Sequence, residues 1–152
     1  MKREEQVLFI INDNSVAGRT RLQKYGFLLS KQYKKHVSKL EKTHDVSFYK
    51  DWKPYHNGPY SQTLADDIEK AVKQNLLQKR TIHGGKDTYV LYSLTAKGRE
   101  KWREILNASP NQIVDICHEI RFLQATDTNY LLRDIYVKYP EYAAINQICS
   151  TA

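Results

Sequence analysis

The sequence predicts a mostly α fold with a small antiparallel β-sheet, and three observations carry that expectation. Apolar residues recur at helical spacing behind good cap residues through most of the 152-residue chain. Two strand-like runs stand side by side, Lys79–His83 and Thr88–Leu94, joined by the glycine-containing tip Gly84-Gly85-Lys86-Asp87. A capped helix flanks this hairpin on each side. Helix, polar-tipped hairpin, helix is the local order of a winged-helix unit, so the expected architecture is a winged helix-turn-helix with additional C-terminal helices.

Residues 2–12 fit a short helix with Val7, Leu8, Ile10 and Ile11 buried, ended by Asn12-Asp13-Asn14-Ser15. Thr20-Arg21-Leu22-Gln23 reads as a capping box and opens the longest periodic stretch. There Leu22, Gly26, Leu29, Tyr33, Val37 and Leu40 share one face. Lys24, Lys31, Lys35, Lys39 and Lys42 lie off it as a basic stripe, the pattern of a solvated helix surface. The connection over 43–60 carries Phe48, Tyr49, Trp52, Tyr55 and Tyr60 interleaved with Lys50 and Lys53. Such aromatics either stack on bases while the ammonium groups hold phosphates, or fold back as a lid on the core. Val46–Tyr49 is also a candidate third strand beside the wing.

The turn His56-Asn57-Gly58-Pro59 hands over to a helix that starts at the N-cap Ser61. Leu64, Ile68, Ala71 and Val72 keep its spacing, and Asn75, tolerant of the left-handed conformation, ends it. After the hairpin, Thr95-Ala96-Lys97-Gly98 opens a helix in which Trp102, Ile105 and Leu106 continue the core. Ser109-Pro110-Asn111-Gln112 is a second capping box, and its helix buries Ile113, Ile116, Cys117, Ile120 and Leu123. A last helix starts at Asp127 or Thr128, carries Leu131, Leu132, Ile135 and Tyr136 on one side, and stops before Pro140. A short helix is the expectation within 141–152. Residues 1–108 are thus expected to form the winged-helix domain, with 109–152 a helical extension packed on it or forming a dimer interface, all as one structural unit.

Charge is unevenly placed. Residues 1–60 hold 12 Lys and Arg against 6 Asp and Glu, residues 61–108 hold 9 against 6, and residues 109–152 hold 3 against 5. A basic field favours polyanions through counterion release, and the C-terminal third is free for protein contacts. The sequence lacks an apolar run long enough to span a bilayer and a signal-peptide pattern, so no membrane association is expected and the location is read as cytoplasmic. Cys117 and Cys149 have no metal spacing and read as reduced thiols, with a single disulfide as the alternative. His118 follows Cys117 about 100° round the helix, so Cys117 reads as core and His118 as surface. There is no glycine-rich phosphate loop, HExxH or GxSxG, and the five histidines are scattered, so no catalytic, metal or cofactor site is expected.

Binding has more to stand on. In a winged helix the second helix of the helix-turn-helix enters the major groove and the wing tip reaches backbone or minor groove. Here Tyr60, Ser61, Gln62 and Thr63 form the helix start suited to base edges, with Asp66–Lys70 and Glu69–Lys73 as neutralising i,i+4 pairs. Lys79, Arg80, Thr81, His83 and Lys86 give the wing three cations and a histidine, and Lys50 and Lys53 add phosphate contacts. An ordinary basic loop is the structural alternative. The leading expectation is a duplex-DNA-binding transcriptional regulator. The alternative is a protein-interaction module, an antitoxin or adaptor, favoured by Asp66, Asp67, Glu69 and the long aromatic connection. A homodimer is expected through Phe122, Leu132, Ile135, Tyr136 and Tyr139.

The run Thr88-Tyr-Val-Leu-Tyr-Ser-Leu-Thr-Ala-Lys-Gly98 resembles the second wing strand and following helix of PadR-like and MarR-like winged-helix regulators, which end the wing in Tyr-x-Leu-Thr-x-x-Gly. Asn57-Gly-Pro-Tyr-Ser61 with the helix after it resembles the Gly-Pro-Tyr-Ser turn and helix of the Panacea (antitoxin SocA-like) group. Arg19-Thr-Arg-Leu-Gln-Lys24 is similar to that group's Thr-x-Leu-Gln-Lys helix start, and LLRDIYVKYPEY to the tail of prokaryotic proteins of this kind. The resemblance implies a winged-helix fold. The chain departs from it in having Asn75 where Gly is usual, and in a connection over 43–60 far longer than the 3–4 residues of a helix-turn-helix turn.

Overall fold

The computed structural model describes residues 1–108 and 110–143. A 3₁₀ turn, Arg3–Gln6, runs into helix α1, Val7–Ile11. Strand β1, Val16–Ala17, precedes α2, Arg19–Gln32, and α3, Lys34–His44. Strands β2, Trp52–Tyr55, and β3, Gly58–Ser61, lead into α4, Gln62–Lys73. Strands β4, Leu77–Gly84, and β5, Asp87–Leu94, are followed by α5, Ala96–Ala108, α6, Pro110–Ala125, α7, Thr128–Lys138, and a 3₁₀ turn at Pro140–Tyr142. The fold is mostly helical with two small antiparallel sheets, of strand order β1-β5-β4 and β2-β3. The expected N-cap Ser109, Cys149 and most of the expected helix within 141–152 lie outside the described residues. Among the described residues no helix is long and apolar enough to cross a membrane.

Helix α1 is the centre of the molecule. Every residue from Val7 to Ile11 is buried, which a helix can be only when other elements surround it, and α2, α4, α5 and α6 all pack against it. Asn12 (φ 46°) and Asp13 (φ 56°) then turn the chain through the left-handed region, which these short polar side chains tolerate.

The expected continuous helix through Tyr33 is broken. α2 ends at Gln32, and a new turn begins with the Tyr33 carbonyl accepting from His36 and Val37. Ser30 Oγ donates to the Phe27 carbonyl in the last turn of α2, a local bond that competes with the helix ladder and bends helices. The pKa of the Tyr33 hydroxyl is pushed up to about 12, mainly by burial and then by the nearby Glu119 carboxylate of α6. The capping box at Thr20 does not form either. The N-cap is Gly18 (φ 91°), whose N–H donates to the Val90 carbonyl, and Gln23 is drawn inward to another partner. Lys24 also departs from the expected stripe, because it is only 4% exposed. Burial, with Arg21 nearby, holds its ammonium below the usual lysine range.

The third strand of the sheet is β1, paired through Val16↔Tyr92 and Ala17↔Leu91, whereas Val46–Tyr49 forms no strand. β4 and β5 pair from Leu77↔Leu94 to Gly84↔Asp87, a longer hairpin than the expected 79–83 and 88–94, with Gly85 (φ 59°) at a two-residue tip. The expected turn before α4 is itself a hairpin, in which β2 and β3 pair from Trp52↔Ser61 to Tyr55↔Gly58. The aromatics divide between core and surface. Phe48, Tyr49 and Trp52 are buried, and Phe27 holds Trp52, Tyr139 and Tyr142 edge-on, which is the lid. Tyr55 is exposed and tilts over Tyr60 at 4.9 Å.

α4 starts and stops as expected. Ser61 Oγ accepts from Leu64 N at 3.0 Å, and Asn75 (φ 61°) ends the element. α6 packs on α1, α2, α3 and α5, and α7 packs on α2 and β3. The expected dimer residues are largely used inside the chain. Ile135 is fully buried and so is no interface residue. Leu132 and Tyr136 close on Gly58, where an added Cβ would lie 3.2 Å from Leu132 Cδ1, and Tyr139 stacks edge-on with Phe27. Phe122 alone of that set is exposed, at 63%. Cys117 is buried, with its thiol pushed up to about 11, and His118 is exposed, as expected.

Candidate functional site

The start of α4 is built by residues far away in sequence. Gln23 of α2 clamps Ser61 on both sides, its Nε2 donating to the Ser61 carbonyl (2.9 Å) and its Oε1 accepting from Ser61 N (2.8 Å). The Asp51 carboxylate then covers the helix N-terminus. Its Oδ1 accepts from Ser61 Oγ (2.5 Å), and its Oδ2 from Thr63 N (3.0 Å) and Thr63 Oγ1 (2.9 Å). An anion at this end is favoured by the exposed N–H groups and by the helix dipole. Burial pushes the Asp51 pKa up, but the bonds from Ser61 and Thr63 outweigh it and leave the carboxyl below its usual range.

This arrangement removes most of the expected base-reading set. Ser61 is fully buried as the cap, so it reaches no ligand. Thr63 spends its backbone and side-chain donors on Asp51. Gln62 bonds Asp66 and accepts from the Tyr60 hydroxyl. The expected pairs Asp66–Lys70 and Glu69–Lys73 are not the ones made. Glu69 instead holds Arg19 (3.7 Å) and Lys79 (3.4 Å), and Asp67, expected to lie in a surface acidic cluster, is fully buried. Asp67 accepts from Arg3 Nε and Nη2 and from the Tyr49 hydroxyl (2.8 Å), fastening α4 to the N-terminal turn and to the aromatic lid.

Beside the covered helix start lies a cleft of about 250 Å³. Tyr55, Pro59 and Tyr60 of the β2–β3 hairpin form one wall, and Arg19, Thr20 and Ala65 the other. The β4–β5 hairpin lies next to it, since the cleft residue Arg19 shares Glu69 with Lys79 of β4. Arg80, Thr81, His83 and Lys86 are exposed, and among the described residues Arg80 and Lys86 have no ion-pair partner, whereas Lys79 is held by Glu69. Lys50 reaches Glu41 of α3 at 3.9 Å, and Lys53 is exposed on β2. Lys31, Lys35, Lys39 and Lys42 stay on the surface at or beyond the C-terminal end of α2. Arg19, at the other end, faces Glu69, and a 14-residue helix is about 21 Å long, so Lys31 lies far from the β4–β5 hairpin.

Asp51, Gln23 and Arg19 are the residues that sequence reasoning missed as site builders. Asp51 carried little signal, since it lies ten residues before the cap Ser61 with the β2–β3 hairpin between them. Gln23 carried none, since its partner lies 38 residues away. Among the described residues there is no cluster of three or more metal-ligating side chains. No family model matches the chain, and neither a curated protein nor a solved structure is significantly similar to it.

Proposed function

We propose that this chain is a winged-helix protein whose main task is to bind another protein through the cleft between the β2–β3 hairpin and the start of α4. The element order α1-β1-α2, then α4-β4-β5, with strand order β1-β5-β4, supports the winged-helix reading, residues 33–61 being an insertion between its second and third helices. The observation that carries the functional reading is the Asp51 carboxylate on the N-terminus of α4. In a DNA-reading helix that end is kept for bases and phosphates. Here it is filled from within, and Asp51, Asp66 and Glu69 oppose a phosphate backbone. The neighbouring tyrosine pair and arginine are the residue types that anchor protein interfaces.

The test is to purify the tagged full-length chain from its source cells and weigh any stoichiometric protein partner. Loss of that partner with Arg19→Glu plus Tyr60→Ala, and its retention with Arg80→Ala plus Lys86→Ala, is the expected pattern. The reverse pattern, or a preparation carrying nucleic acid and no protein, refutes the reading.

Duplex DNA binding is the second reading, and the wing favours it, because Arg80 and Lys86 are exposed cations without a carboxylate partner among the described residues. Contact would then run through the wing and phosphates rather than through Gln62 and Thr63. Affinity should fall with salt at a log-log slope of about −0.9 per phosphate neutralised. An unchanged shift-assay affinity for Arg80→Ala plus Lys86→Ala removes this reading. A dimer, on either reading, has Phe122 as its remaining candidate contact.

A further inference from the structure

A second groove lies on the other side of α1, between α5 and α6, with a volume of about 420 Å³. Its two walls are stripes of the same helical spacing. α5 contributes Arg99, Trp102, Arg103 and Leu106, and α6 contributes Val114, Cys117, His118 and Arg121, each at i, i+3, i+4 and i+7. The stripes are polarised. Leu106 and Val114 are nearest the junction of the two helices and are apolar, while Arg99 and Arg121 are farthest from it and charged. Between them Trp102 and Cys117 supply an apolar floor, both nine-tenths buried or more.

The charged end holds more cations than the chain itself uses. Asp13 is the carboxylate in the groove, and it bonds Arg99 at 3.0 Å. Arg103 and Arg121 have no carboxylate partner among the described residues. Asn12, which lines the same end, is 7% exposed, and its Nδ2 has no acceptor among the described residues. A buried amide donor without an acceptor is costly and uncommon in a folded protein. Its presence beside two uncommitted guanidinium groups is an independent sign that an acceptor belongs there.

We propose that this groove binds a small amphipathic organic anion, a carboxylate on an aromatic or branched aliphatic body. The body lies over Trp102, Leu106 and Val114. The carboxylate meets Arg121, Arg103 and the Asn12 amide, a pairing that planar guanidinium groups make with two parallel bonds. The volume lies within the range of small-molecule sites, which combine apolar walls with a few placed polar groups. Inorganic anions would leave the apolar half unused, and neutral aromatics would leave Asn12 and the arginines unmatched.

The probes are 2-naphthoate and its neutral isostere 2-naphthamide, titrated into the full-length chain by calorimetry. Naphthoate is expected to bind saturably with one site per chain and about tenfold tighter than the amide, the size of one charged hydrogen bond. Arg121→Gln and Asn12→Asp should each remove most of that preference, and Val114→Asp should weaken both probes. Should a variant fail to fold, the wild type still decides, because the protein has only two indole signals. Naphthoate should move the Trp102 indole N–H resonance and leave that of Trp52 in place. No saturable binding at millimolar naphthoate, equal affinity for the two probes, or a shift at Trp52 alone overturns the proposal.

Discussion

Replacing Asp51 with Asn tests whether the carboxylate at the α4 N-terminus is a structural cap. Asn keeps the size and one acceptor oxygen but removes the charge. Asp51 receives three hydrogen bonds, from Ser61 Oγ, Thr63 N and Thr63 Oγ1. A single amide oxygen can serve the Thr63 side or the Ser61 side, so at least one donor loses its acceptor. Trading a charge-assisted bond for a neutral one costs about 1 kcal/mol, and losing the charge at a helix N-terminus costs about 0.3–1 kcal/mol more. The site faces solvent, so the lower half of the summed range applies, about 1.3–1.7 kcal/mol. For a chain of this length that lowers the melting temperature by roughly 3–7 °C.

The pH dependence fixes the sign. Asp51 is held below its ordinary carboxylate value of 3.8 in the folded state, so its contribution is complete above that value and fades as pH falls through the lower, folded-state pKa. The wild type and Asp51→Asn should therefore differ at pH 7 and converge in acid, read by circular dichroism melts at each pH. Equal melting temperatures at pH 7, or a gap that persists undiminished below pH 2, would show that the carboxylate is not the cap described.

Three further outcomes follow from the packing. Gly98→Ala should destabilise by about 2 kcal/mol or more in urea titration, although Ala is the better helix former, because the added Cβ would overlap the Leu76 carbonyl oxygen; a stabilised variant refutes the close approach. Asp67→Asn and Tyr49→Phe should each cost about 1–3 kcal/mol, and a double-mutant cycle should return a coupling above about 0.5 kcal/mol, since the two groups share one buried hydrogen bond. Phe122→Asp should leave the melting temperature unchanged and reduce the mass seen by light scattering to one chain, whereas Tyr139→Ala should lower the melting temperature; a wild type that is already monomeric at tens of micromolar removes the dimer.

What the sequence made legible is the part whose causes are local. Ser61 and Asn75 mark the two ends of α4 because capping and the left-handed turn are decided within a few residues. The β4–β5 hairpin was readable because alternation and a glycine tip specify a hairpin without reference to the rest of the chain. The break at Tyr33 was not, since Leu29, Tyr33, Val37 and Leu40 keep helical spacing across it. Periodicity reports which face is buried, and it is blind to a bend that leaves the same face buried against a different neighbour. Lys24 and Asp67 were misplaced for the opposite reason. Charge type predicts exposure on average, and Asp67 is covered by elements distant in sequence, the turn at Arg3 and the lid residue Tyr49.

The segment 33–61 ties these observations together. A helix N-terminus in water or against DNA has its first N–H groups satisfied from outside, so a reading helix is one whose start is left open. Residues 33–61 close that start with a carboxylate of their own, and the Gln23–Ser61 clamp fixes the connection so that Asp51 cannot swing away without breaking a buried pair of bonds. The same segment spends Phe48, Tyr49 and Trp52 on the core, which leaves Tyr55 and Tyr60 outside on a hairpin that α7 braces through Gly58. A braced, aromatic, partly charged projection beside a sealed helix costs little further order on binding, which is the condition for a good protein contact. The basic surplus of the first 60 residues is meanwhile partly matched within the chain, since Lys50 reaches Glu41, Arg3 pairs with Asp67, and Arg19 shares Glu69 with Lys79 of β4.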